Sequence, residues 1–196
     1  MDSKEFLRSY LNDFSNLVKP NKDVVHKLVK VADLLNDVKA EGKKILIFGN
    51  GGSAAIASHF SVDLTKNASL RCINCNEADL ITCFANDYGF EHWVEKALGC
   101  FADECDLLVL VSSSGESANI VNGARRAVGM GLPILTLSGF ASDNTLRSLG
   151  GIHLWVDSRT YNIVENVHQI WMLSIVDYLV ADKDRGLEIP SEGIDG

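Results

Sequence analysis

Apolar residues over the first forty positions recur every three or four places. Phe6, Leu7, Tyr10, Leu11, Phe14, Leu17 and Val18 make one helical stripe, closed by Pro20. Val24, Val25, Leu28, Val31, Leu35 and Val38 make a second over about 22–40, with Gly42 where a C-terminal cap belongs. Past Gly42 the period changes. Apolar runs at 44–48, 106–111, 132–137 and 152–156, and a shorter one near 70–74, read as strands. Helical patterns at about 52–66, 117–130 and 161–182, with helical pieces between 77 and 100, alternate with them. Strands that are apolar throughout are buried on both faces, so the pattern predicts an α/β fold, a parallel sheet between helix layers.

With 196 residues and no repeat, low-complexity block or linker, the chain reads as a single domain over 1–196. Residues 1–41 form its helical pair, either core cover or a subunit interface, and 183–196 a loosely held tail.

Two turns stand out against this scaffold. Gly49-Asn50-Gly51-Gly52-Ser53 follows the first apolar run, and Ser112-Ser113-Ser114-Gly115-Glu116-Ser117 follows the 106–111 run. A buried strand feeding a small-residue turn and then a helix presents free backbone N–H groups at a helix N-terminus, which suits an anion. Neither turn contains lysine, so a bound phosphate ester fits better than nucleotide hydrolysis. Gly49-x-Gly51-x-x-Ala54 also meets a loose dinucleotide fingerprint. Arg71-Cys72-Ile73-Asn74-Cys75-Asn76, however, has no acidic residue to hold a ribose, and that reading has no use for the second turn. No nucleotide cofactor is expected.

The net charge of −8 argues against a nucleic-acid partner gripped through phosphates. No run is long and apolar enough for a membrane span or a signal peptide, so a cytoplasmic protein is expected. The five cysteines are odd in number, and Cys72-Ile73-Asn74-Cys75 lacks a second pair to complete a four-thiolate zinc site, which favours reduced, buried thiols.

GNGGSAAIASHF at 49–60 and SSSGESANIVNGARRA at 112–127 resemble the paired signatures of SIS (sugar isomerase) domains, the phosphoheptose isomerases among them. The likeness runs from about residue 1 to 182. The N-terminal helical pair, Ala85-Asn86-Asp87-Tyr88-Gly89-Phe90 and Val164-Glu165-Asn166-Val167-His168 all fall in family order. The resemblance implies a three-layer, flavodoxin-like, doubly wound parallel sheet with two extra N-terminal helices. It also implies a homotetramer with sites between subunits, and isomerisation of sedoheptulose 7-phosphate to a glycero-manno-heptose 7-phosphate for surface polysaccharide. By that resemblance Ser53, Ser112, Ser113, Ser114 and Ser117 bind phosphate, with Gly51 and Gly52 in the same turn as Ser53. Asn50 and Asp87 hold sugar hydroxyls.

Aldose–ketose isomerisation moves a proton between C1 and C2 through an enediol, so it needs a base and a group that shuttles the O1/O2 proton. His59 and Asp63 share a helix face by their spacing of four; Glu165 and His168 share one by their spacing of three. Zinc-binding members of the family use a histidine and a glutamate on the first of these helices, with a glutamine and a histidine on the last. Here the histidine is His59, but Asp63 replaces the glutamate, Glu165 the glutamine and Leu173 the second histidine. Two repairs are open. Glu165 acts as base with His168 assisting, or His59, Asp63 and Glu165 bind one Zn²⁺. Leu173 also fits a rival reading, a non-catalytic sugar-phosphate-binding regulator or scaffold; a different phosphosugar is the third.

Overall fold

The computed structural model describes residues 2–185. Helices α1 (Ser3–Val18) and α2 (Lys22–Ala40) precede β1 (Ile45–Gly49), α3 (Gly51–Lys66) and β2 (Cys72–Asn74). Helices α4 (Ala78–Tyr88) and α5 (Trp93–Phe101) lead to β3 (Leu107–Ser112) and α6 (Ala118–Met130). Strands β4 (Ile134–Ser138) and β5 (Ile152–Trp155) and helix α7 (Tyr161–Arg185) complete the fold. Helix α7 runs three residues past the end predicted for it, and the rest of the expected tail, from 186, lies outside the described residues.

All five strands are parallel, in the order β2-β1-β3-β4-β5, which is the flavodoxin-like winding. Alternation along the strands sorts the core. Ile45 and Ile47 of β1, with Leu107, Val109 and Val111 of β3, pack against α2, α3 and α7. Leu46 and Phe48, with Leu108 and Leu110, pack against α5 and α6 on the opposite face. Strands buried on both sides explain the unbroken apolar runs.

The local caps follow the sequence signals. The Asn21 side chain accepts from Val24 N at 2.9 Å, starting α2 one residue after Pro20. Gly42 adopts φ +66° just past α2, the left-handed turn that ends many helices. In helix α1 no residue is buried, and Phe6, Leu7 and Leu11 are exposed although its pattern is amphipathic. Among the described residues no helix is long and apolar enough to cross a membrane.

Candidate functional site

The chain leaves β1 towards β2 on one side and passes to β3 on the other, so β1 and β3 flank the point where the winding reverses. In open α/β sheets ligands bind there, beyond the carboxyl ends of the strands. Gly49 pairs with Val111 in register, which sets the two turns side by side. They are tied together by a reciprocal amide pair. Asn50 Nδ2 donates to Asn119 Oδ1 and Asn119 Nδ2 donates to Asn50 Oδ1, each at 2.9 Å. Asn50, expected to hold sugar hydroxyls, thus spends part of its capacity on Asn119.

A cleft of about 100 Å³ lies between the turns, lined by Ser53, Ser112, Ser113, Ser114, Ser117 and Asn50 on one side and by Tyr161 and Glu165 on the other. Ser53, Ser112 and Ser113 are buried, and Ser112 and Ser117 share a hydrogen bond at 3.1 Å. Ser113 Oγ is buried without a partner, an uncommon state for a hydroxyl. Gly115 turns the chain at φ +70°, and a Cβ there would overlap the Asn144 amide. Asn144 Nδ2 donates to Ser138 Oγ and to the Gly139 and Ala141 carbonyls, while its Oδ1 accepts from Arg147 N. Glu116 accepts from Thr145 N and Oγ1, both at 2.7 Å. The serine turn is therefore braced from behind, so its hydroxyls need no reorganisation to meet a ligand. No lysine or arginine lines the cleft. An anion there is held by neutral donors at the start of α6, where the helix dipole favours negative charge.

The Glu165 carboxylate lies against Gly52, at the N-terminus of α3, and a Cβ at position 52 would overlap it. Gly51 beside it takes φ +53° to start the helix. Burial raises the Glu165 pKa above the usual carboxylate range, and the nearby Ser113 hydroxyl opposes that rise without closing a bond within hydrogen-bonding distance.

Helices α3 and α7 pack along one another, and their seam continues the cleft. At 3.6 residues per turn, His59 and Asp63 lie about two and three turns beyond Gly52 on the same face of α3. Gln169, one turn past Glu165, donates from Nε2 to His59 Nδ1 at 3.2 Å, and His59 Nε2 stands 3.4 Å from Asp63 Oδ2. An amide nitrogen only donates, so Nδ1 accepts and the imidazole proton sits on Nε2, facing Asp63. A second hollow of about 360 Å³ adjoins Asn50 on the other side, but Ala54, Ala55, Ile81, Phe90 and Trp93 make it largely apolar. Its polar groups, apart from Asn50, are Ser58 and Asn76, whose side chains bond one another.

Within the single chain two of the expected site residues lie off the cleft, and the expected zinc ligands lie apart. His168 does not reach the cleft: it is fully buried, donates from Nε2 to the Ser138 carbonyl at 3.0 Å, and leaves Nδ1 without a partner. Burial drives its pKa down to about 4, with the Ser138 carbonyl pulling the other way, so it is a neutral core imidazole. Its spacing of three from Glu165 turns it far enough round α7 to face the sheet. Asp87 also lies off the cleft, exposed on α4, where Asn86 Nδ2 donates to it at 2.9 Å.

The proposed zinc set fails to converge for a related reason. His59 stands beside Asp63, but the Glu165 carboxylate is at Gly52, about two turns back along α3. A metal ligand set needs its donors within about 2–2.5 Å of one ion. Among the described residues no group of three such side chains could hold a metal ion. Burial pushes the Cys72 and Cys75 thiols up to about 12 and about 11, which disfavours the reactive thiolate.

Asn119, Asn144, Gln169 and Tyr161 went unread in the sequence. A buried asparagine in an otherwise apolar helix face is a usable signal for Asn119. Gln169 and Tyr161 become partners only through chain crossings that no local pattern reveals, whereas Asn144 bonds residues three to six positions away.

Residues 9–139 match the SIS domain family. The phosphoheptose isomerase of Fusobacterium nucleatum is 30% identical over 178 residues, 87% of this chain and 91% of that one. A probable phosphoheptose isomerase of Thermoplasma acidophilum is 28% identical over 93% of this chain and all of that one. Among solved structures, the phosphoheptose isomerase of Neisseria gonorrhoeae superposes with a TM-score of 0.83 at 25% identity, covering 91% of this chain and 99% of its own. The chain belongs to the SIS domain family and is a relative of its phosphoheptose isomerases.

Proposed function

We propose that this protein interconverts sedoheptulose 7-phosphate and D-glycero-D-manno-heptose 7-phosphate. The observation that supports this reading is the polar α3–α7 seam, where His59, Asp63 and Gln169 lie beyond the cleft at the serine turn. With the phosphate in the serine turn, an extended seven-carbon chain at about 1.5 Å per bond reaches roughly 9 Å to its carbonyl end. His59 stands about 10 Å along α3 from Gly52, by the rise of 1.5 Å per residue. The reacting carbons then meet His59 and Asp63, while Glu165 faces the phosphate end.

Asp63 takes the proton from C1 of the ketose as the C1–C2 double bond forms and the carbonyl O2 takes the Nε2 proton of His59. The enediol returns its O1 proton to His59 Nε2 as C1 becomes the carbonyl, and Asp63 delivers its proton to C2. His59 thereby supplies the shuttle that Leu173 cannot, and Gln169 holds it in the required tautomer.

A second reading makes Glu165 the base, favoured by its place on the cleft wall and its raised pKa. The magnitudes favour Asp63, since a group abutting the phosphate site is several carbons from C1 of an extended heptulose phosphate.

The exposed Phe6, Leu7 and Leu11 of α1 support a homotetramer. Asp87, off its own chain's cleft, then serves a neighbouring copy's site. The product feeds heptose-containing surface polysaccharide, lipopolysaccharide or capsule, from the cytoplasm. Incubation with sedoheptulose 7-phosphate, followed by NMR, should yield the aldoheptose signals. Absence of turnover by a folded, phosphate-binding protein overturns the isomerase reading in favour of a non-catalytic binder.

A further inference from the structure

Phe140 carries a backbone conformation that bulky side chains rarely adopt, with φ +57°. Such an outlier persists only where its surroundings enforce it, and it marks a place to look for function. Phe140 N donates to the Ser158 carbonyl at 2.9 Å, and Gly139 N before it donates to the Ser113 carbonyl at 2.9 Å. The strained residue is therefore joined to the serine turn through its neighbour Gly139. Its ring meets the ring of Tyr161 edge to face, with centroids 4.8 Å apart and planes at 64°. Tyr161 opens α7, lines the cleft between the turns, and is 58% exposed. It stands four residues before Glu165, on the same helix face.

An exposed tyrosine side chain normally keeps much of its rotamer freedom. Here the edge of a half-buried phenylalanine, packed on the core and held in left-handed backbone, restrains the ring at the mouth of the cleft. The cleft contains hydroxyl donors but no cation, so one more O–H at its rim adds a neutral donor where an anion needs one. We propose that Tyr161 is a substrate-binding residue whose phenol donates to the phosphate ester held in the serine turn, and that Phe140 is its positioning residue. The proposal rests on the serine turn being a phosphate site, but not on which sugar is attached.

The test measures inorganic phosphate binding by titration calorimetry, and KM and kcat with sedoheptulose 7-phosphate, in wild type, Tyr161→Phe, Phe140→Ala and Phe140→Tyr. Tyr161→Phe keeps the ring contact and the exposed position, so the variant folds. Loss of one hydrogen bond to a charged group should weaken phosphate binding and raise KM about ten- to a hundredfold, with kcat little changed. Phe140→Ala should reproduce part of that loss, and Phe140→Tyr, which retains the ring edge, should restore it. Unchanged phosphate affinity in Tyr161→Phe overturns the proposal. Tyr161-dependent phosphate binding without turnover of the heptulose phosphate leaves it standing and sinks the isomerase reading instead.

Discussion

Asn50 and Asn119 face each other across 69 residues of chain and exchange two hydrogen bonds of 2.9 Å, one in each direction. The pair joins the N-terminus of α3 to the first turn of α6 and so sets the distance between the two anion-binding turns. Asn119→Ala removes both bonds and leaves Asn50 facing a buried gap. We expect a stability loss of about 1–3 kcal/mol and a raised KM for the phosphosugar. A melt within error of wild type, with KM unchanged, would show that the turns hold their spacing without the pair.

The seam geometry assigns different kinetic signatures to two carboxylates. Asp63→Asn should lower kcat by about two to four orders of magnitude, the usual loss on removing a general base, with a small change in KM. Glu165→Gln should act mainly on KM. The reverse pattern would move the reaction centre to Glu165 and imply a substrate folded back on its phosphate.

Glu165 also gives a pH signature. Its folded-state pKa is raised by burial, above an unfolded value near about 4.3. The fold therefore binds this proton more tightly than the unfolded chain does. The stabilisation from that proton is fully present below the unfolded pKa and is lost as pH rises through the folded one. Glu165→Gln cannot titrate, so its stability relative to wild type should improve across that window and level off above it. Denaturant melts from pH 4 to 8 on both proteins measure the difference, and parallel curves would contradict the burial effect.

On α1, Leu7 and Leu11 are exposed on a helix with no buried residue. Replacing both with glutamate should cost little within one chain and should shift the protein to a smaller species by light scattering. A double variant that keeps the wild-type mass would show that α1 holds no subunit contact.

The strand and helix pattern was readable because each element's environment is written in its own period. Ile45 and Ile47 face one helix layer and Leu46 and Phe48 the other, so an apolar run means a central parallel strand. The serine turn was readable for a similar reason, since small residues between a buried strand and a helix have few other uses. His168 misled because spacing places a residue on a helix face without telling which way that face looks. The distance between Glu165 and the His59–Asp63 pair was not readable, because spacing within α3 and within α7 cannot fix how far one helix is slid along the other.

The sequence by itself determined the order of elements, the parallel sheet and the two turns, because these depend on local period and turn chemistry. Tertiary structure alone decided which side chains meet. It put Glu165 on Gly52, Gln169 on His59 and Asn119 on Asn50, and it turned His168 into the core. Those contacts depend on the crossing and register of separate elements, to within an ångström or two, and no local pattern encodes that.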